Sequence, residues 1–315
     1  MTGYLIRRLG TAIIVVLGVC LMTFMMLHYI SPSPGLEQLG PKAQPAAIAA
    51  FNKAHGYNLP VWEQFLRYIN QLLHGDLGYS YKLNQSVNAL FAEKAPLSAF
   101  LSGTSLLLAI LIALPLGIFQ AIKRNSVMDV TMTTVSFILY SMPVFLFALL
   151  LIDVFALDLH WVDPTVGGNQ SLTGALSNWK DLLLPIASLS ITQVASFSRY
   201  QRSAALDVLA QDYIKVARAK GLSERLVYSR HMVRNSTLPL ITLIGLSIPA
   251  LVAGNLLIEF AFNISGLGLL FVSGLNSDDY SILLGYTLIT AVLTVIGNLV
   301  ADVCLTISDP RIRLV

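Results

Sequence analysis

Residues able to break a covalent bond, hold a metal or cradle a phosphate are thinly scattered along this chain of 315 residues. The five histidines, His28, His55, His74, His160 and His231, fall in unrelated contexts, and no H-E-x-x-H ligand pair occurs. Cys20 and Cys304 each sit in an apolar run, which suits a buried small hydrophobe better than a disulfide or a metal ligand. The chain has no G-x-x-x-x-G-K-S/T loop, no C-x-x-C and no G-x-S-x-G nucleophile turn. Gly266-Leu267-Gly268 has the spacing of a phosphate loop without a strand-like run before it, and these glycines read as turn residues.

What remains is a set of polar groups in apolar surroundings. Asn255 with Glu259, and Asn298 with Asp302, are spaced i, i+4 and share a helix face. Ser141, Gln193 and Ser196 add polarity to other apolar stretches. Ionisable groups at membrane depth are costly and face a bundle interior or a wet cavity. Two roles stay open for them: hydrogen bonding between helices, worth about 1 kcal/mol each, or lining of a translocation path. Asn255 and Glu259 lie near the outer end of their stretch and Asn298 and Asp302 in the inner half of theirs, so the two pairs do not form one site.

The elements that must position these groups are membrane helices. Hydrophobic residues make up 55% of the chain and charged residues 12%, against roughly 25% charged in an average soluble protein. The mean hydropathy of +0.70 excludes disorder, which needs low hydrophobicity and high net charge. A net charge of +3 gives no reason to expect nucleic acid as a partner. Apolar stretches near residues 9–30, 99–122, 130–152, 182–198, 238–258 and 283–307 predict an all-α, polytopic membrane protein of six transmembrane helices. Residues 1–315 then form one transmembrane domain. Pro115, Pro143, Pro185 and Pro249 fall inside these stretches, where a bundle can re-satisfy the freed carbonyls.

Six spans put both termini on one side. Fourteen of the 20 Lys and Arg residues fall on that same side, and the positive-inside rule makes it cytoplasmic. Residues 31–98 are then an extracytoplasmic segment and residues 199–237 a cytoplasmic one, in the cytoplasmic (inner) cell membrane. The latter carries eight basic residues against Asp207, Asp212 and Glu224, yet Leu206, Leu209, Tyr213 and Val216 repeat every three or four positions as one apolar helix face. Gly221 supplies a turn, and a second short helix begins near Ser223. The residues alone leave two readings, a basic hairpin on anionic headgroups or a docking site for a soluble partner.

The string Gln211-Asp212-Tyr213-Ile214-Lys215-Val216-Ala217-Arg218-Ala219-Lys220-Gly221-Leu222-Ser223, with Arg234-Asn235 and Leu238-Pro239 after it, resembles the ATPase-coupling motif of ABC importer permeases. It is most similar to the first permease subunit of the peptide, oligopeptide and nickel family. The resemblance runs through Tyr4-Leu5-Ile6-Arg7-Arg8, Leu59-Pro60 with Gln64, Gly75-Asp76-Leu77-Gly78 and Ser80, Arg199-Tyr200 with Arg202, and Ser308-Asp309-Pro310-Arg311. It departs from the family pattern at Ser31-Pro32-Ser33-Pro34-Gly35 and at Asn263-Ile264-Ser265, places expected to face the outer cavity or the binding protein.

The resemblance implies a non-catalytic permease subunit of an ATP-driven, binding-protein-dependent importer, for oligopeptides or dipeptides. Nickel chelate, glutathione or another small solute are alternative cargoes for the same machinery, and a secondary transporter is the rival class. It also implies that Ala217 to Ser223 seat in a cleft of an ATP-hydrolysing subunit, where Ala217, Ala219 and Gly221 permit close approach and Arg218 and Lys220 orient the contact. The implied partners are a second homologous permease, two ATP-binding subunits or domains, an extracytoplasmic substrate-binding protein and the lipid bilayer. The subunit itself would bind no cofactor, with ATP and Mg held by the ATPase subunits.

Overall fold

The structure, a computed structural model, describes residues 2–30, 34–40, 42–166, 171–248, 251 and 255–308. Among these the chain is almost entirely helical, with one pair of two-residue strands, β1 (Tyr79–Ser80) and β2 (Gln85–Ser86), in antiparallel register. Helix α1 (Thr2–Ile30) carries the first apolar stretch. Three helices follow, α2 (Pro34–Leu39), α3 (Pro45–His55) and α4 (Val61–Leu73), and then the strand pair. Ser86 caps the next helix by accepting the Ala89 N–H, and α5 (Val87–Ile122) continues for 36 residues despite Pro96 and Pro115. At 1.5 Å per residue that is about 54 Å, well beyond the roughly 30 Å of hydrocarbon, so α5 also reaches outside the bilayer.

The third expected span is not one helix. Helix α6 (Val127–Ser141), capped by Ser126, stops at Met142, whose neighbour Pro143 disfavours helical geometry in the residue before it. Helix α7 (Val144–Leu151) leaves at 102° to α6 and runs on as a π-helical turn over Ile152–Asp158. Pro143 therefore breaks the run that sequence reading carried through it. Helix α8 (Leu172–Ser177) and a 3-10 turn lead to α9 (Leu183–Leu209). Pro185 falls in its first turn, where a backbone N–H has no partner within the helix in any case. Helix α9 continues unbroken for three further turns past residue 198 into the basic segment.

Helix α10 (Asp212–Ala219) follows, then α11 (Glu224–Leu226), a π-helical stretch Val227–Met232, α12 (Val233–Ser236) and α13 (Leu238–Leu246). The fifth expected span is described as α13 and α14 (Leu256–Ala261), and Pro249 lies outside the described residues. Helix α15 (Leu267–Asn276) is too short to cross a membrane, and α16 (Tyr280–Ser308) ends the chain's described part. Among the described residues four helices, α1, α5, α9 with its preceding turn, and α16, are long and apolar enough to cross a bilayer, and the bent pair α6 and α7 makes a fifth candidate.

The core is the seam between α5 and α9. Ser105, Ala109, Ala113, Gly117 and Ala121 repeat every four residues along α5, and all are buried. A Cβ on Gly117 would stand 2.5 Å from the Ser198 carbonyl oxygen, so the two backbones touch there. In a membrane, where lipid is as apolar as leucine, small residues of this kind let helices approach closely enough for packing to hold them. The contacts step along both helices together: Ser190 Oγ donates to the Ser105 carbonyl, Gly117 meets Ser198, and Ala121 packs with Ala205. Helix α1 runs the opposite way along α16, with Arg8 paired to Asp302 at one end and Phe24, Leu27 and His28 near Tyr280, Ser281 and Leu284 at the other.

Candidate functional site

The basic segment is a short helix held against the end of the α5 and α9 seam. Helix α10 buries Ile214 and Ala217 on Val208, Leu209, Leu222 and Val227. Tyr213 and Val216 are exposed, as are Gln211, Asp212, Arg218, Ala219, Lys220 and Ser223. The apolar face inferred from sequence assumed one continuous helix, whereas the chain turns at Ala210 and Gln211 and resets the helical phase. The Ala217 side chain packs inside its own subunit. Asp212 pairs with Lys215 at 2.9 Å, and Gln211 Nε2 donates to the Asp207 carbonyl.

The end of α10 is closed by backbone alone. The Gly221 N–H donates to the Arg218 carbonyl and the Leu222 N–H to the Ala217 carbonyl, with Gly221 at φ +80°. This is the Schellman arrangement, in which a left-handed residue satisfies carbonyls that the helix leaves free, and Leu222 packing near Ala217 completes it. A Cβ at Gly221 would meet nothing within 4 Å, so glycine is needed here for its φ and not for space inside this chain. Arg218 makes two bonds to Glu224 across the turn, Nε to Oε1 at 2.8 Å and Nη2 to Oε2 at 3.0 Å. That guanidinium, with Tyr228 beside it, holds the Glu224 carboxyl below the usual carboxylate range.

Three residues of α9, before α10, tie it to its neighbours in the bundle. Arg202 on α9 grips Asp129 at the start of α6 through Nε to Oδ1 at 2.7 Å and Nη2 to Oδ2 at 2.8 Å. Asp129 is buried, and its Oδ2 also accepts the Asn125 N–H, so the pair ties the α5–α6 turn to α9. Gln201 Nε2 donates to Ser236 Oγ at 2.8 Å, joining α9 to α12, and Ala121, Ala205 and Met232 pack around that junction. Arg199 lies over the rings of Phe137 and Tyr140, 4.0 and 4.7 Å from their centroids. Sequence reading named Arg202 without its partner; Asp129, 73 positions away, gives no local signal.

The polar groups of the bundle separate into different surroundings. Asn255 caps α14 through its backbone, and Glu259 is fully buried. Its Oε1 accepts from Ser98 Oγ at 2.7 Å, and its Oε2 accepts the N–H groups of Gly268 and Leu269 at 2.7 and 3.2 Å. The turn glycines Gly266 and Gly268 are where a Cβ would collide with that carboxylate, with Ser98 Oγ or with the α14 backbone. Asp302 is ion-paired with Arg8 at 2.9 Å. Gln193, Ser196 and Asn298 are half-buried, the Gln193 Oε1 has no hydrogen-bond partner, and Ser141 is exposed at the break after α6.

Beyond the far end of the bundle, Ser80 Oγ donates to the buried carboxylate of Asp279, just before α16. Asn88 Oδ1 accepts the Leu77 N–H and its Nδ2 donates to the Gly75 carbonyl, while Asp76 accepts the Gly78 N–H. The Gly75 to Ser80 string is thus the clasp holding residues 75–86 to α5 and α16. Among the described residues no group of three or more His, Cys, Asp or Glu could hold a metal. Of the motif residues at the two ends, Ser31 to Ser33 and Asp309 to Arg311 lie outside the described residues.

A helical bundle with a braced basic element at one end and a clasped segment at the other suits a membrane transport component. Residues 113–314 match the family described as binding-protein-dependent transport system inner membrane component, and residues 1–102 match the N-terminal family of the same membrane components. The chain belongs to this family and is a transport permease subunit of the inner membrane. It is 37% identical to the oligopeptide transport system permease protein AppB of Bacillus subtilis (strain 168), covering 99% of this chain and 100% of that protein. It is 33% identical to the glutathione transport system permease protein GsiC of Salmonella paratyphi A, and 32% identical to the dipeptide transport system permease protein DppB of Escherichia coli (strain K12). Both alignments cover 99% of each chain.

Proposed function

We propose that this chain is the non-catalytic permease subunit of an ATP-driven, binding-protein-dependent importer of short peptides. The observation that carries the ATP-driven part is the α10 element, an exposed helix and glycine turn packed on the end of α9 through Ile214 and Ala217, while Arg202 and Gln201 tie α9 to α6 and α12. A contact surface that is rigidly attached to α9 can pass a push from a soluble ATPase into the bundle, by hinge or shear motion of the spans. The docking face of this reading comprises Arg218, Ala219, Lys220, Gly221 and Ser223, while Ala217 works from beneath. The peptide part is supported by the names of the three relatives, whose stated cargoes are oligopeptides, dipeptides and glutathione, itself a short peptide.

In this reading the chain spans the membrane six times, with both termini and residues 199–237 in the cytoplasm and residues 31–98 outside. Helix directions support it: Arg8, Lys123, Arg124 and the basic residues after Arg199 all fall at the end of the bundle marked by the Arg8–Asp302 and Arg202–Asp129 pairs. The partners are a second permease, two ATP-binding subunits that hold ATP and Mg, and an extracytoplasmic binding protein. Gln193, Ser196 and Asn298 are the polar groups assigned to the translocation path, and Glu259 and Asp302 to bracing of helices. Purification from membranes tests the reading: an ATPase that co-purifies and is stimulated by peptide-loaded binding protein is the expected result. An impermeant thiol reagent that labels Lys82→Cys and Gln211→Cys equally from outside would end the orientation.

A further inference from the structure

Helix α4 has more apolar surface than this subunit covers. At 100° per residue, Val61, Phe65, Tyr68 and Leu72 form one half of a continuous apolar arc of about 160°, and Trp62, Leu66, Ile69 and Leu73 form the other. Glu63, Gln64, Arg67, Asn70 and Gln71 make the opposite, polar face. The first half is accounted for: Phe65 meets Phe24 of α1 with its ring tilted and Tyr68 stacks on it, with ring centroids 5.5 and 6.0 Å away. The second half is bare apart from the half-buried Ile69, with Trp62, Leu66 and Leu73 exposed to 63%, 57% and 80%.

The depth of that contact identifies what covers the bare half. The apolar stretch of α1 runs from Gly10 to Tyr29, and Phe24 is five residues inside its end, about 7 to 8 Å along the axis. A helix seated on Phe24 is therefore held at the level of the membrane boundary and not above it. Met22 and Met26, on the side of α1 opposite Phe24, are also exposed, so α1 presents apolar surface at this level and the bare edge of α4 lies at the same depth. A tryptophan at one end of such an edge suits the headgroup layer, where amphipathic rings concentrate.

We propose that α4 is an interfacial helix, lying in the headgroup layer beside α1 and immersing Trp62, Leu66 and Leu73 in lipid. With one acid, Glu63, and one base, Arg67, on its polar face, α4 has no net attraction to anionic headgroups; apolar area holds it there. The contact is accordingly indifferent to lipid charge.

Nitroxide labels test this in the assembled transporter, its other cysteines replaced by alanine, reconstituted in nanodiscs. Labels at Leu66→Cys, Leu73→Cys and, on the polar face, Asn70→Cys are compared for collision with oxygen and with a water-soluble nickel chelate. The expected result is oxygen-dominated collision at 66 and 73 and chelate-dominated collision at 70, the same in zwitterionic and anionic lipid. Chelate-dominated collision at all three sites would overturn the proposal in favour of a solvated helix. Labels at 66 and 73 that are immobilised and shielded from both reagents would overturn it in favour of a covering protein. Lipid contact seen with anionic lipid alone would overturn it as well.

Discussion

The backbone N–H of Gly268 donates a 2.7 Å hydrogen bond to Oε2 of Glu259, placing a carboxylate of this chain at the first turn of α15. A helix N-terminus attracts an anion because its free N–H groups and dipole point outward. Here the anion is internal, and the two glycines at residues 266 and 268 leave it the room. The phosphate-loop spacing in the sequence is thus physically meaningful, but its anion is Glu259.

Replacing Glu259 by Leu is expected to destabilise the subunit by at least about 3 kcal/mol, because Ser98 and the Gly268 and Leu269 N–H groups lose a buried acceptor at about 1 to 3 kcal/mol each. Glu259→Gln keeps an acceptor and should cost about 1 kcal/mol. Apparent melting temperatures of the purified assembly distinguish the two. Equal temperatures for Leu and wild type would show that the carboxylate braces nothing.

Gly221→Val should leave the subunit in the membrane but lose the ATPase, whereas Gly221→Asn should retain it. The left-handed φ of +80° costs a non-glycine residue about 1 to 2 kcal/mol, asparagine least among them, and a β-branched side chain also stands out from the docking face. Co-purification of the ATPase at matched membrane abundance is the measurement. Full transport by the Val variant would remove the turn from the coupling element.

Arg202→Ala is expected to be more damaging than the double change Arg202→Met with Asp129→Leu. The single variant leaves a buried carboxylate without its partner, a loss of about 3 to 5 kcal/mol, while removal of both charges avoids it. Thermal unfolding of the three proteins gives the comparison. A double variant as unstable as the single would mean that the pair matters for its shape and not its charge.

Gly117→Leu should abolish accumulation in the membrane, because a side chain there must displace the α9 backbone at Ser198. Gly103→Leu, where a Cβ meets nothing within 4 Å, is the control on the same helix and should accumulate normally. Similar abundance of both would show that the α5–α9 seam can open without consequence.

Much of the architecture is legible in the sequence because hydropathy and charge are local properties. The apolar runs at α1, α5, α9 and α16 could be read directly, as could the turn at Gly221. Phase could not be read across Ala210 and Gln211, since a helical period is only informative while the helix continues, and so Tyr213 and Val216 were assigned to the wrong face. Ser80 with Asp279 and Arg202 with Asp129 are 199 and 73 residues apart, and only folding brings them together. The four-residue repeat of Ser105, Ala109, Ala113, Gly117 and Ala121 was present but unread, because small residues leave no peak in hydropathy.

The seam of α5 and α9 has a further consequence for how the chain is threaded. Ser105, Gly117 and Ala121 meet Ser190, Ser198 and Ala205 in ascending order, so the two helices are parallel, and the residues between them must return from one membrane face to the other. The bent pair makes that return: Asp129 stands beside Arg202, while Ala148 and Ala156 cluster with Leu184 and Leu189, near the opposite end of α9. Arg202 and Leu184 are separated by about 27 Å along a helix, close to the thickness of the hydrocarbon. The segment from Val127 to Asp158, with its 102° corner, thus links the two ends of the α5–α9 seam. A corner of that size interrupts the helical hydrogen-bond ladder near Ser141, and backbone groups freed in this way at membrane depth must be sealed by protein or wetted by water.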